Sequence, residues 1–197
     1  LIGNYFKNVN LSFKNHKFSG LSFNSNNCKK NYIFFAIKGN NLNGNKFINH
    51  AINKGAKTVV SNIKYEGFKK DVLFIRTNNV RRLLSETVSK IYKKKPKNLV
   101  AVTGTNGKSS IADFYLQILK LNKKKVASIG TLGINSNKNK IGLQNTTLDS
   151  LQLAKYLSKL KDQKIDNVIL EASSHGLSQN RLDGLKFQIG IFTNLSH

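Results

Sequence analysis

Leu99-Val100-Ala101-Val102-Thr103-Gly104-Thr105-Asn106-Gly107-Lys108-Ser109-Ser110 runs from an unbroken apolar tetrad into a turn carrying two glycines and then into a helix-forming segment. Four consecutive apolar residues bounded in this way read as a short strand buried on both faces. The residues after Ser110 place Ile111, Phe114, Tyr115, Ile118 and Leu119 at helical spacing, and these are the expected inward face. A glycine turn between a buried strand and a helix is the local context of a phosphate-binding loop. Glycines let the backbone bring N–H groups close to oxyanions, and the helix N-terminus adds partial positive charge. Lys108 has the reach for β- and γ-phosphates, and a hydroxyl of Ser109 or Ser110 suits Mg²⁺. The pattern G-x-x-x-x-G-K-[ST] is met only in part, because its first glycine would fall at Val102; Gly-Thr-Asn-Gly-Lys-Ser is a tighter variant.

Downstream, strands are expected over 126–129, 168–170 and 189–192, and a helix over 150–161 carrying Leu151, Leu153, Ala154, Leu157 and Leu160. Strand and helix alternate, so the expected architecture is α/β with a mostly parallel sheet. Glu171 directly follows Val168-Ile169-Leu170, at the carboxyl end of a strand, the edge where ligands bind in open α/β sheets. A carboxylate there is costly unless a cation pairs with it, and nucleotide-bound Mg²⁺ would do so. His175 lies in Ser-Ser-His-Gly and reads as a packed or capping residue. No G-x-S-x-G elbow accompanies it, and His16, His50, His175 and His197 show no metal-ligand spacing.

Upstream, 18–25, 32–37, 57–60 and 72–75 read as strands, rich in aromatic and β-branched residues. A short helix is expected over 46–54, with Phe47 and Ala51 inward, Ile48 and Ile52 as further inward candidates, and Gly55 as its stop. Asn78 or Asn79 can cap a following helix that carries Val80, Leu83, Leu84, Thr87, Val88 and Ile91. Pro96, the only proline, closes that segment. The expected division is one domain over 1–77 and the first part of a second over 78–197.

The composition narrows the class further. The 197 residues carry 33 basic and 9 acidic side chains, a formal charge of +24. Only four of the basic residues are Arg, the Lys are scattered, and Asn is abundant, so a solvated surface is favoured over a nucleic-acid interface. The densest runs, 93–95 and 123–125, fall at expected helix C-termini, where cations suit the dipole. A single Cys, Cys28, excludes an intrachain disulfide and fits a reducing cytoplasm. No stretch approaches the roughly 20 apolar residues of a membrane helix, and Leu1-Ile2-Gly3-Asn4 lacks the basic-then-apolar pattern expected of a signal peptide. The absence of Met predicts that the sequence as given is cut or processed at its start.

Several segments together resemble the Mur ligases, closest to their MurE branch. They are Gly104 to Ser109, Asn145-Thr146-Thr147, Glu171 to Leu177 (Glu-Ala-Ser-Ser-His-Gly-Leu), Gln179, Arg181 and Phe192-Thr193-Asn194-Leu195-Ser196. The early segment 21–25, followed by 33–39 and Asn43-Gly44, is similar to the family's UDP-binding domain. The resemblance implies a small N-terminal α/β domain holding UDP, with Phe23, Ser25, Asn40, Asn41 and Leu42 at matching positions, followed by part of a P-loop-type ATPase domain. It implies ATP bound by Gly104, Thr105, Asn106, Gly107, Lys108, Ser109 and Ser110, and Mg²⁺ held by Ser109 and Glu171. Asn145, Thr146, Thr147, Ser173, Gln179 and Arg181 would hold UDP-N-acetylmuramoyl-L-alanyl-D-glutamate. The implied chemistry is ATP-driven amide formation through an acyl phosphate, adding a diamino acid (meso-diaminopimelate or L-lysine) in cytoplasmic peptidoglycan synthesis, and so serving cell shape and division. Lys108 and Glu171 would be its catalytic residues on this chain, and a monomer is expected.

Three departures stand out. Asn24-Ser25-Asn26 replaces the family's usual Asp-Ser-Arg, and Ser109-Ser110 replaces two Thr. The family's Asp-His-Leu-Asp-Tyr-His motif, carbamylated Lys and amino-acid-binding domain would all lie beyond His197, so the 197-residue chain alone is expected to be inactive as a ligase. The alternatives are another Mur ligase, a folylpolyglutamate synthase (disfavoured by the first domain), a basic nucleic-acid-binding NTPase, or a remnant that only binds a nucleotide sugar.

Overall fold

A computed structural model describes residues 1–6, 10–39, 42–137, 140–142 and 146–196. The chain divides into two units, Leu1–Thr87 and Val88–His197.

The first unit is built on a five-stranded sheet. Its strands are β1 (Gly20–Ser22), β2 (Tyr32–Phe35), β3 (Ala56–Ser61), β4 (Gly67–Lys69) and β5 (Val72–Arg76), in the order β1-β2-β3-β5-β4. All pairings are parallel except β4 with β5. The apolar runs of β2 and β3 explain the arrangement, because Ile33, Phe35, Val59 and Val60 are fully buried, as strands covered on both faces require. Helix α1 (Ile48–Asn53) places Ile48 and Ala51 against Phe34, Val59 and Cys28. Phe47, expected inward, is instead exposed. It ends a 3₁₀ turn (Gly44–Phe47), whose tighter winding puts it out of phase with the α-helical face. Burial in this core pushes the Cys28 thiol up to about 11, which makes it a packing side chain and no nucleophile.

Helix α2 (Val80–Ile91) starts at Asn79, whose Oδ1 accepts the Arg82 N–H at 2.9 Å. This is an N-cap, and Asn79→Ala should cost about 1 kcal/mol, read as a lowered urea midpoint. An unchanged midpoint would show that the cap is dispensable.

The second unit carries a six-stranded sheet in the order β11-β6-β10-β7-β8-β9. Its strands are β6 (Asn98–Thr103), β7 (Val126–Gly130), β8 (Gly133–Ser136), β9 (Lys140–Ile141), β10 (Asn167–Glu171) and β11 (Ile189–Phe192). The four from β11 to β7 are parallel; β8 and β9 continue antiparallel from β7. Helix α3 (Lys108–Leu121) covers one face, packing Ala112 on Val100, Val102 and Ile169. Helix α4 (Ser150–Asp162) covers the other, with Leu153, Leu157 and Leu160 against Leu99, Ile129, Val168 and Leu170. This is a doubly wound sheet. Its chain order turns back at β6, with α3 leading from β6 towards β7 while β10 and β11 flank β6.

The inward face of α3 differs from the expected one. Ala112 and Leu116 are buried, Ile111 and Tyr115 are partly so, and Phe114 and Ile118 stand 59% and 57% exposed. The apolar spacing offers two adjacent stripes, and the small Ala112 lets the helix axis approach the sheet along the 112/116 line. Among the described residues no helix is long and apolar enough to cross a membrane.

Candidate functional site

The carboxyl ends of β6, β10, β7 and β11 lie at one sheet edge, because the four strands are parallel and in register. From that edge emerge the segments 104–110, 171–173, 130–131 and 193–196.

The loop after β6 is shaped by the segment after β11. Thr105 N–H donates to the Asn194 carbonyl at 3.0 Å, and Asn106 N–H donates to Asn194 Oδ1 at 3.0 Å. Thr193 Oγ1 donates to the Asn106 carbonyl at 2.6 Å, and Ser196 N–H donates to Thr105 Oγ1 at 3.2 Å. Gly104 has φ +137°, and a Cβ built on it would overlap Thr193 Oγ1 and lie 2.9 Å from the Asn194 carbonyl oxygen. The clasp occupies the N–H groups of Thr105 and Asn106. The opening turn of α3 is different: Gly107 at its N-cap provides no side-chain cap, and the N–H groups of a helix's first turn have no intrahelical acceptor. Those amides and the helix dipole favour an anion. Lys108 folds over the loop, its Nζ donating to the carbonyls of Gly104 at 2.6 Å and Thr105 at 3.0 Å.

Glu171 ends β10 and is 3% exposed. Its carboxylate is held by three donors. Ser109 Oγ lies 2.9 Å from Oε2, Thr131 Oγ1 3.0 Å from Oε2, and Thr131 N–H 3.1 Å from Oε1. Gly130 makes the space, since a Cβ there would fall inside the carboxylate. Of the two candidate hydroxyls, Ser109 faces Glu171 and Ser110 is exposed. Among the described residues no three His, Cys, Asp or Glu side chains cluster as a self-sufficient metal cage. One carboxylate with one hydroxyl is the hard-oxygen donor set of a Mg²⁺ that takes its other ligands from water and phosphate.

A second network adjoins Glu171. The Thr147 hydroxyl donates to the Glu171 backbone carbonyl at 3.0 Å and accepts the Ser173 N–H at 3.0 Å. Its single proton is thereby committed, so the Ser173 hydroxyl, 3.0 Å away, donates to it. Ser173 Oγ in turn accepts the Gly176 N–H and caps the short helix α5 (Ser174–Ser178). Arg181 donates to the Thr147 carbonyl and, through Nε and Nη2, to Gln179 Oε1 at 3.1 and 2.8 Å. Thr147, Ser173, Gln179 and Arg181 therefore form one cluster, while Thr146 is joined through the Thr131 hydroxyl to the Glu171 carboxylate. His175 is exposed on α5.

In the first unit, Phe23 is exposed and Ser25 is buried at the start of a 3₁₀ turn (Ser25–Asn27), while Leu42 is 66% exposed beside the Lys38–Asn43 bridge. Asn24 Oδ1 accepts the Asn26 N–H at 3.0 Å, so the amide oxygen caps this turn as an Asp carboxylate would. Asn40, Asn41 and Asn145 lie outside the described residues. Thr131, Gly130 and Asn194 had not been singled out from the sequence as site residues. Gly-Thr directly after a buried strand parallel to β10 is the signal that could have found the first two.

The site's parts recur in known proteins. Residues 102–197 match the Mur ligase middle domain. A UDP-N-acetylmuramoyl-L-alanyl-D-glutamate–2,6-diaminopimelate ligase of Rickettsia prowazekii (strain Madrid E) is 43% identical over 197 residues, covering 96% of this chain and 40% of its own length. The ligase of the same name from Clostridium tetani (strain Massachusetts / E88) is 38% identical over 193 residues, covering 96% and 39%. A solved structure with that name superposes with a TM-score of 0.77 at 32% identity, over 91% of this chain and 37% of that one. The chain thus spans about 40% of the length of the curated relatives it matches. With its phosphate-type loop, the carboxylate behind it and this likeness over nearly the whole sequence, the chain belongs to the Mur ligase family.

Proposed function

We propose that this chain supplies the nucleotide-binding and UDP-substrate portions of an ATP-dependent ligase. That ligase adds a diamino acid to UDP-N-acetylmuramoyl-L-alanyl-D-glutamate in the cytoplasm. The observation that carries the reading is the meeting of Ser109 Oγ and the buried Glu171 carboxylate, 2.9 Å apart, directly behind the loop that opens α3. The names of the relatives favour 2,6-diaminopimelate over lysine.

In this reading the first-turn amides of α3 and the Lys108 ammonium bind the β- and γ-phosphates of ATP, while Gly104 to Asn106, held by Asn194, fix the loop. Glu171 and Ser109 hold Mg²⁺, which when bound neutralises charge on the phosphates. The substrate carboxylate attacks the γ-phosphorus and ADP departs. The incoming amine then displaces inorganic phosphate from the acyl phosphate to leave the amide. Lys108 stabilises charge on the transferring group by position, without taking up or giving up a proton. Arg181, with its planar donor fork beside Gln179 and Thr147, suits an anionic group of the muramoyl dipeptide. The unit Leu1–Thr87 takes the UDP moiety through Phe23, Ser25, Asn40, Asn41 and Leu42, of which Phe23 and Leu42 stand exposed.

The test is direct titration of the 197-residue chain with ATP in the presence of Mg²⁺ by calorimetry. Binding is expected, and Lys108→Ala should weaken it about 10-fold, the loss of one charge-assisted bond to phosphate. UDP-N-acetylmuramoyl-L-alanyl-D-glutamate should bind Lys108→Ala as it binds the unaltered chain. Absence of ATP binding, with the nucleotide sugar still bound, would replace the reading with that of a nucleotide-sugar binder.

A further inference from the structure

We infer that Thr131 is a positioning residue that fixes the Glu171 carboxylate and ties it to Thr146. The inference rests on the ligase reading above and goes beyond it by assigning a role to a residue at the β7–β8 turn. Thr131 grips both carboxylate oxygens, with its N–H on Oε1 at 3.1 Å and its hydroxyl on Oε2 at 3.0 Å. Its Oγ1 also lies 3.0 Å from Thr146 Oγ1.

The direction of these bonds follows from proton count. An ionised carboxylate only accepts, so the one hydroxyl proton of Thr131 goes to Glu171. The Thr146 hydroxyl must then donate to Thr131. The result is a directed chain, Thr146 to Thr131 to Glu171, meeting the Ser109 donor on the same oxygen, Oε2, at 2.9 Å. One end is the segment proposed for the muramoyl dipeptide and the other is the proposed Mg²⁺ pair. A ligand group that draws the Thr146 proton breaks the chain at Thr131 and loosens one of the donors on Oε2. Substrate and metal sites are thereby linked through a single exposed side chain. The β7–β10 register sets this geometry, because Ile129 pairs with Leu170 and the next residues, Gly130 and Thr131, abut Glu171.

The experiment uses Thr131→Val, which keeps the shape and the backbone donor and removes the hydroxyl, and Thr131→Ser, which restores the hydroxyl. Two readouts are taken on the 197-residue chain: the gain in ADP affinity on adding Mg²⁺, by calorimetry, and Mn²⁺ binding in the presence of ADP, by electron paramagnetic resonance. Thr131→Val should reduce the metal-dependent gain about 10-fold, the usual size for loss of a group orienting a ligand. ADP affinity without metal should be unchanged. Thr131→Ser should return the gain to within about 3-fold of the unaltered chain, because the orienting bond is restored. Thr146→Val should weaken metal binding in the unaltered chain and add nothing in Thr131→Val. A full metal-dependent gain in Thr131→Val, or a Ser variant as impaired as the Val variant, overturns the inference and leaves the ligase reading standing. A chain that binds ADP with no metal-dependent gain at all removes both.

Discussion

Gly104→Ala is expected to destabilise the unit Val88–His197 by about 4 kcal/mol, the sum of a strained left-handed backbone and an overpacked contact. It should also abolish nucleotide binding. Gly104 sits at φ +137°, and the added Cβ meets Thr193 Oγ1 and, at 2.9 and 3.0 Å, the backbone oxygen and nitrogen of Asn194. Backbone cannot swing aside as a flexible side chain would. Relief requires the 193–196 segment to leave the loop, and with it go the acceptors of the Thr105 and Asn106 amides. The loss is a large fraction of the 5–15 kcal/mol typical of a whole domain. Urea unfolding followed by circular dichroism measures the first effect and ADP titration the second. Gly142→Ala is the control, since a Cβ there meets nothing within 4 Å, and it should stay within about 0.5 kcal/mol of the unaltered chain. A Gly104→Ala variant as stable as this control would mean that the 193–196 segment does not clasp the loop in solution.

Legibility in the sequence followed how locally each feature is encoded. The runs 99–102, 126–129 and 168–170 were legible as strands because they are three or four residues long, mostly apolar and rich in β-branched residues, too short for a helix, and their parallel order followed from the helices between them. Asn79 before α2 acts as a cap through a contact three residues away, and sequence spacing carries such a contact; Asp149 caps α4 in the same way, though the sequence reading did not name it. The antiparallel strands β4, β8 and β9 were not legible. They hold three, four and two residues, and their pairing with β5 and β7 is a tertiary fact. The face of α3 is not legible for a related reason: Phe114 and Ile118 satisfy helical spacing as well as Leu116 does, and only the sheet selects between them. In the site, Gly104 to Ser109 and Glu171 were visible as a loop and a strand-end carboxylate. Their meeting through Ser109 spans 62 residues of sequence, and the Asn194 clasp on Asn106 spans 88. Gly130-Thr131 is marked in sequence only as the end of a buried strand; that its hydroxyl serves a carboxylate 40 residues away is a tertiary fact.

Glu171→Gln should cut the metal-dependent part of ATP affinity about 100-fold while leaving the fold intact, since it removes the charged ligand of the proposed Mg²⁺ site. The amide keeps the shape of the carboxylate, so the space left by Gly130 stays filled. Its oxygen can face the Thr131 N–H, and its NH₂ then points at Ser109 Oγ and Thr131 Oγ1. Both are hydroxyls, which can rotate from donor to acceptor, so no buried donor is stranded and stability should change by less than about 1 kcal/mol. What cannot be rebuilt is the negative charge. In the proposed site, ATP without Mg²⁺ is held by the first-turn amides of α3 and by Lys108, so its binding should be equal to or slightly tighter than in the unaltered chain, because a buried anion near the phosphates is gone. Calorimetry with and without Mg²⁺ separates the two quantities, and urea unfolding checks the third. A Gln variant that retained the full Mg²⁺ gain would remove Glu171 from the metal site and reduce it to a structural residue that pins Thr131 and Ser109. A variant that lost ATP affinity equally with and without Mg²⁺ would show instead that the carboxylate shapes the loop and holds no cation.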